Sequence, residues 1–238
     1  VFVIPYENTF SLIGTTDENY TGDPQQAAIS PGEIHYLIDV VNSYFKKQID
    51  EDDIVHSYSG VRPLLEEENA SAQELTRDYK VELRNAPGQP LLMNIFGGKI
   101  TTYRKLAEHA VDKLAEHFDV KSPPWTAKAP LPGGDFSDPR TYAKNLQHRY
   151  PWLPEQLAQR YTRQYGTLSE RFLAQKTGLS DMGEHFGAQV YAAEVDYLVE
   201  NEWAMQVQDI LWRRTKQGLH FSTQQIERLD EYLNAKQS

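Results

Sequence analysis

The sequence predicts an α+β first half, an antiparallel sheet with helices, followed by an all-helical domain. Three observations carry that division. Residues 76–84 alternate apolar and charged side chains, and residues 1–17 hold two β-rich runs around a short polar turn. Beyond residue 136 the apolar residues recur at helical spacing between helix start and stop signals. Between the two patterns, residues 121–135 (KSPPWTAKAPLPGGD) crowd prolines and glycines as a connector does. The expected domains are 1–120, a connector 121–135, and 136–238.

Taken in order, VFVIPYE and TFSLIGTTD are rich in β-branched and aromatic residues and predict a hairpin. Ser30-Pro31-Gly32-Glu33 is a capping box with proline at the first helical position. The helix it opens carries Ile34, Leu37, Ile38, Val41 and Phe45 on one face. Residues 54–61 are a strand candidate. In residues 76–84, Tyr79, Val81 and Leu83 share one face. A turn over 85–90 then leads into the apolar run 91–96, which has the length of a buried strand.

Gly97-Gly98 permits a sharp turn. From Leu106 the apolar positions 106, 107, 110, 111, 114 and 118 form one helical stripe. Thr101 or Thr102 is placed to cap that helix, whose first-turn N–H groups and partial positive charge would face the glycines. In the second half, helices are predicted over 154–165, 168–176, 188–200 and 203–216, the last with Arg213, Arg214 and Lys216 near its end. A terminal helix opens at the capping box Ser222-Thr223-Gln224-Gln225.

Composition narrows the chemistry. The chain of 238 residues has no cysteine, which excludes disulfides, thiolate catalysis and Cys-type zinc sites. Its net charge of −10 lies wholly in residues 1–120, with 10 Lys+Arg against 20 Asp+Glu; residues 121–238 hold 14 of each. Neither half has the basic excess of a nucleic-acid binder. No apolar run approaches the roughly 20 residues of a membrane span, so at most peripheral membrane contact is expected. The strand-like start at Val1 suggests a piece of a longer protein.

Few residues point to chemistry. Lys99, beside a double glycine at a helix start, is poorly placed for the helix dipole, which suggests a local need for positive charge. Arg62, held extended by the following proline, and Arg77 could join it on a phosphate. Simpler alternatives are surface pairs of Arg62 with Glu66, Glu67 or Glu68, and of Arg77 with Asp78. The seven histidines make no metal-ligand pattern and read as packing or surface groups. The Arg213–Lys216 cations read more simply as a dipole-matched helix end than as a binding patch.

Taken together, IGTTDENYTGDP (13–24), YSGVRPL (58–64), TRDY (76–79), FGGKITTYRKLAEHAVDKL (96–114) and LWRRTKQG (211–218) resemble the FAD-dependent, respiratory glycerol-3-phosphate dehydrogenases of aerobic bacteria. The resemblance implies that residues 1–120 are the C-terminal part of the FAD-oxidoreductase catalytic region and that a helical C-terminal domain follows. It implies that Gly97, Gly98, Lys99, Ile100 and Thr101 contact the flavin, and that Arg62, Arg77 and Lys99 contact substrate, with Lys99 near the reacting oxygen. The implied reaction passes a hydride from sn-glycerol 3-phosphate to FAD, giving dihydroxyacetone phosphate, and electrons on to quinone.

Further implications are a homodimer, peripheral contact with the cytoplasmic face of the inner membrane or a cytoplasmic location, and no metal. The family's opening G-x-G-x-x-G turn is not in this sequence, so the chain on its own is expected to be inactive and to bind FAD poorly. The alternatives are a non-catalytic dimerisation or membrane-docking module and a related flavin-dependent amine oxidase.

Overall fold

In a computed structural model of the chain, which describes residues 1–62, 78–118 and 122–237, the expected hairpin forms from β1 (Phe2–Tyr6) and β2 (Phe10–Gly14). The strands pair antiparallel with Val3 opposite Ile13. Glu7 and Asn8 turn the chain in the left-handed region, at φ 44° and 64°. The ring of Phe2 lies over Gly14, where a Cβ would stand 3.1 Å from its Cζ.

The capping box opens α1 (Pro31–Tyr44) as the sequence predicts. The Ser30 hydroxyl accepts from the Glu33 N–H, and the Ser30 N–H donates to the Glu33 carboxylate at 2.9 Å. Thr16, just beyond β2, donates to the same carboxylate at 2.6 Å and so ties hairpin to helix. Val41 is buried, whereas Phe45 terminates the helix half in solvent.

Residues 54–61 do not form the expected strand. They run exposed after a 3-10 turn, Glu51–Asp53, with no sheet partner among the described residues. β-propensity without an edge to pair with does not hold a strand. By contrast β3 (Tyr79–Arg84) and β4 (Leu92–Gly97) pair antiparallel, Val81 opposite Ile95, around a loop in which Gly88 has φ +76°. The expectation that this apolar run is buried is corrected: Leu92 is 51% exposed, Ile95 42% and Phe96 40%. A two-stranded sheet leaves much of both faces open. α2 (Tyr103–Ala115) follows, its Val111 and the Phe118 beyond it also exposed.

The chain divides into units Val1–Ala127 and Lys128–Ser238, a boundary inside the Pro/Gly-rich connector. Each end of the connector is held within its own unit. Thr126 donates to Glu108 of α2 at 2.6 Å, and the Gly133 carbonyl accepts from the Thr167 N–H at 3.0 Å.

The second unit opens with α3 (Pro139–Arg149), which the sequence reading did not single out although Asp138 caps it and proline takes its first position. α4 (Glu155–Gln164) matches the expected helix. The next is shorter than expected, a 3-10 turn Gly166–Ser169 running into the single turn α5 (Glu170–Leu173).

The expected helix over 188–200 instead begins as a hairpin, β5 (His185–Gly187) with β6 (Val190–Tyr191), before α6 (Ala192–Glu202). The second half is therefore not all-helical. Ala188 and Gln189 occupy the two left-handed positions of the hairpin turn, at φ 43° and 65°, without the Gly or Asn that usually announces it.

The expected helix over 203–216 is also broken. Trp203, at φ 54°, ends α6, and a π-helical turn spans Asp209–Arg214. The cations nevertheless meet helix ends. The Arg214 guanidinium donates to the Glu202 carbonyl at 2.6 Å, and Lys216 Nζ to that of Trp212 at 2.6 Å. α7 (Thr223–Gln237) starts at Ser222, whose N–H donates to Gln225 at 2.9 Å.

This unit's core contains Leu157, Tyr161, Leu173, Phe186, Val195, Leu198, Ile210, Leu211, Leu229 and Leu233, around one buried ion pair. Arg160 of α4 donates to both oxygens of Glu194 of α6 at 2.6 Å, and the Tyr165 hydroxyl donates to the same carboxylate at 2.6 Å. Burial and the Glu194 charge push the Tyr161 and Tyr165 hydroxyls well above their ordinary value, so both remain protonated.

Two outcomes follow. Glu194→Ala, which strands the Arg160 charge, should cost about 3–5 kcal/mol in urea unfolding followed by circular dichroism, while the apolar double replacement Arg160→Met/Glu194→Leu should restore most of it. A loss below ~1 kcal/mol would show the pair to be incidental. Separately, hydrogen bonds from Thr16 and then Ser30 hold the Glu33 carboxyl below the usual range. Its stabilisation of α1 is full above the ordinary carboxylate value of about 4.3 and fades as pH falls through the lowered one. NMR titration should find Glu33 moved back up in Thr16→Val.

Candidate functional site

β4 ends in Gly97 at φ +69° and is followed by Gly98 at φ +105°. Both conformations exclude ordinary side chains, and space excludes them too. A Cβ on Gly97 would stand 3.1 Å from the Asp78 carbonyl, and one on Gly98 3.2 Å from Leu106 Cδ1 and 3.4 Å from Tyr79 Cβ. The turn is thus wedged between the start of β3 and the first turns of α2.

Lys99 is extended, exposed and, among the described residues, without an ion-pair partner. A 3-10 turn, Ile100–Thr102, then leads directly into α2. The expectation that Thr101 or Thr102 caps this start is corrected. Neither the 3-10 turn nor α2 receives a side-chain cap, and the Thr102 hydroxyl donates backward to the Lys99 carbonyl at 3.0 Å. Thr101 is exposed and Ile100 is 85% exposed. The Thr102 and Tyr103 N–H groups donate to the Lys99 and Ile100 carbonyls, which leaves the Ile100 and Thr101 amides, without a side-chain cap among the described residues, beside the Lys99 ammonium.

The next two cations are committed elsewhere. Arg104 and Lys105 both bond Glu108, at 2.6 and 3.0 Å. The Thr126 hydroxyl first, then Lys105, hold that carboxyl below its ordinary value. Lys99 is thus the cation the turn leaves available.

Arg62 pairs with Asp17 at 2.5 Å, joining the segment after β2 to the segment before the second hairpin. The sequence reading named neither this partner nor its signal, although Asp17 lies inside one of the quoted motifs. Glu66, Glu67, Glu68 and Arg77 lie outside the described residues. Convergence of Arg62, Arg77 and Lys99 on one anion is therefore a proposal.

Sequence reasoning also missed the pairing of Tyr79 with His109, whose hydroxyl and Nδ1 lie 3.2 Å apart. The signal was present: Tyr79 falls on the covered face of an alternating strand, and His109 lies one helical turn from Leu106. Among the described residues no cluster of His, Cys, Asp and Glu could hold a metal, and no helix is long and apolar enough to cross a membrane.

Comparison with known proteins covers both units. Residues 1–104 match the family model of FAD dependent oxidoreductases, and residues 124–234 match that of the C-terminal domain of alpha-glycerophosphate oxidase. The chain is 49% identical over 234 residues to the aerobic glycerol-3-phosphate dehydrogenase of Escherichia coli (strain K12), covering 98% of this chain and 47% of that protein. It is 49% identical over 237 residues to the glycerol-3-phosphate dehydrogenase of Pseudomonas aeruginosa, covering 99% of this chain and 46% of that protein. The D-erythritol 1-phosphate dehydrogenase of Brucella abortus is 45% identical over 224 residues, covering 93% and 44% respectively. The chain spans about half the length of the curated relatives it matches.

The glycine geometry is testable by itself. Gly88→Ala meets open space and should cost only the left-handed penalty of about 1–2 kcal/mol. Gly98→Ala, strained and crowded, should cost more in thermal unfolding. Equal losses would mean that the turn relaxes freely.

Proposed function

Because this chain belongs to the family of FAD-dependent oxidoreductases that includes the glycerol-3-phosphate dehydrogenases, we propose that it supplies the C-terminal part of such an enzyme, oxidising sn-glycerol 3-phosphate to dihydroxyacetone phosphate. The observation that carries the reading is the turn at residues 97–99. It combines two left-handed glycines, a lysine without an ion-pair partner among the described residues, and a helix start that no side chain caps.

These features fit a flavin. Gly97, Gly98, Lys99, Ile100 and Thr101 would hold it, the amides and the partial positive charge of the helix start favouring an electron-rich edge. When bound, FAD supplies the hydride acceptor for substrate C2.

Arg62 and Arg77 would bind the substrate phosphate, for which a guanidinium fork is well suited. The Asp17 carboxylate aims Arg62 while occupying one of its nitrogens, which leaves further donors for a phosphate. Lys99 would stand near the reacting oxygen and stabilise negative charge developing there. In the same reading electrons pass on to quinone, and the complete protein is a homodimer peripheral to the cytoplasmic face of the membrane.

The test is glycerol 3-phosphate-dependent reduction of a quinone analogue by the complete reading frame containing this chain, with D-erythritol 1-phosphate as the competing substrate. Lys99→Met should lower kcat about 10²–10³-fold, the cost of losing one preorganised donor to a developing oxyanion. Being exposed, it should leave stability within about 0.5 kcal/mol. Arg62→Ala should chiefly raise KM, by at least about tenfold. Bound flavin without turnover of glycerol 3-phosphate would refute the substrate, and full activity in Lys99→Met would refute the site.

A further inference from the structure

Resting on the flavin reading of the turn, we infer that Tyr79 and His109 are positioning residues that set where residues 97–99 stand. Tyr79 is where three constraints meet. Its backbone is the register partner of Gly97, so it closes the β3–β4 ladder at the residue where the turn begins. Its Cβ lies 3.4 Å from where a Gly98 Cβ would be, with Leu106 Cδ1 3.2 Å from the same point. Its hydroxyl and ring then reach α2, sharing a hydrogen bond of 3.2 Å with His109 Nδ1 and packing at 5.6 Å between ring centroids.

Leu106 and His109 are one helical turn apart on α2. Strand and helix are consequently joined at two points, one beside the glycines and one behind them. Two consecutive glycines have little conformational preference, so their position must come from such outside contacts. The clip fixes the separation and axial offset of β3 and α2, and with them the backbone that carries Lys99 and the helix-start amides. Neither residue needs to touch substrate or flavin to do this. A 1 Å displacement of a positioned group is enough to lower a rate substantially.

Tyr79→Phe keeps the ring and its packing on the turn but removes the hydrogen bond. His109→Leu removes it from the helix side, and His109→Gln keeps a hydrogen-bonding group at similar reach. In the 238-residue chain, amide hydrogen exchange of Thr102 and Tyr103, whose N–H groups donate to the Lys99 and Ile100 carbonyls, should quicken about fivefold in Tyr79→Phe and His109→Leu, while residues 2–14 stay unchanged. In the complete protein the same two variants should lower kcat for glycerol 3-phosphate about fivefold with KM within twofold, and His109→Gln should keep more than half of the wild-type kcat.

Unchanged exchange at the turn would overturn the clip. Quickened exchange with unchanged kcat would overturn its role in the reaction, as would a fall in thermal midpoint with neither change. Lys99→Met, assayed alongside, separates the two levels: full activity there refutes the site itself, while the exchange result still decides whether Tyr79 and His109 hold the turn.

Discussion

The buried Arg160–Glu194 ion pair is the constraint around which the second unit is arranged. Taking both charges out of water is expensive, and their attraction offsets the cost only when the geometry is bidentate and the remaining donors are used. Here they nearly all are. Beyond Glu194, the Arg160 guanidinium donates to Gln164 at 2.7 Å and to the Gln189 carbonyl at 2.8 Å, and Gln164 donates onward to the Thr215 carbonyl at 2.6 Å. One side chain thereby specifies the register of α4, the β5–β6 turn, α6 and the end of the π-helical turn. It also accounts for the left-handed Gln189, whose carbonyl is fixed by the arginine. Among the described residues, Arg160 Nε and Thr162 Oγ1 are buried without a hydrogen-bond partner, a cost of roughly 1–3 kcal/mol each that apolar packing must offset.

The first unit has no such centre. Among its described residues Val41 is the one buried hydrophobic side chain, and its sheets are two separate two-stranded hairpins, a form that is marginal in isolation. Local contacts carry the geometry instead. Thr16 and Ser30 fix the start of α1, Asp17 fixes Arg62, and Asp78, Tyr79, Leu106 and His109 enclose the glycine turn. The candidate site is thus built of backbone and short-range clips rather than of a packed pocket. That suits a site whose ligand would rest against a turn and a helix start.

What could be read in advance follows from how local each signal is. Capping boxes act within four residues, so Ser30 and Ser222 announced α1 and α7 correctly, and alternation announced β3. The strand expected over 54–61 failed because a strand needs a neighbouring edge, which composition does not disclose. The β5–β6 hairpin was missed because Ala188-Gln189 lacks turn residues and is held by a distant arginine. The Trp203 break escaped notice because a tryptophan at φ 54° has no local signature; its helix end is met by Arg214, twelve residues on.

The sequence by itself determined where the two hairpins of the first unit, the helices opened by Ser30 and Ser222, and the glycine turn lie, since the preferences of Ser, Pro, Gly and alternating side chains operate over a few residues and need no partner. It also carried the family resemblance, as ordered motifs along the chain. Tertiary structure alone decided that Arg62 meets Asp17, that Tyr79 meets His109, that Thr102 does not cap α2, and that Arg160 and Glu194 share a core. Each of these rests on groups brought together across space, where burial and hydrogen-bond satisfaction outweigh the conformational preference of any single segment.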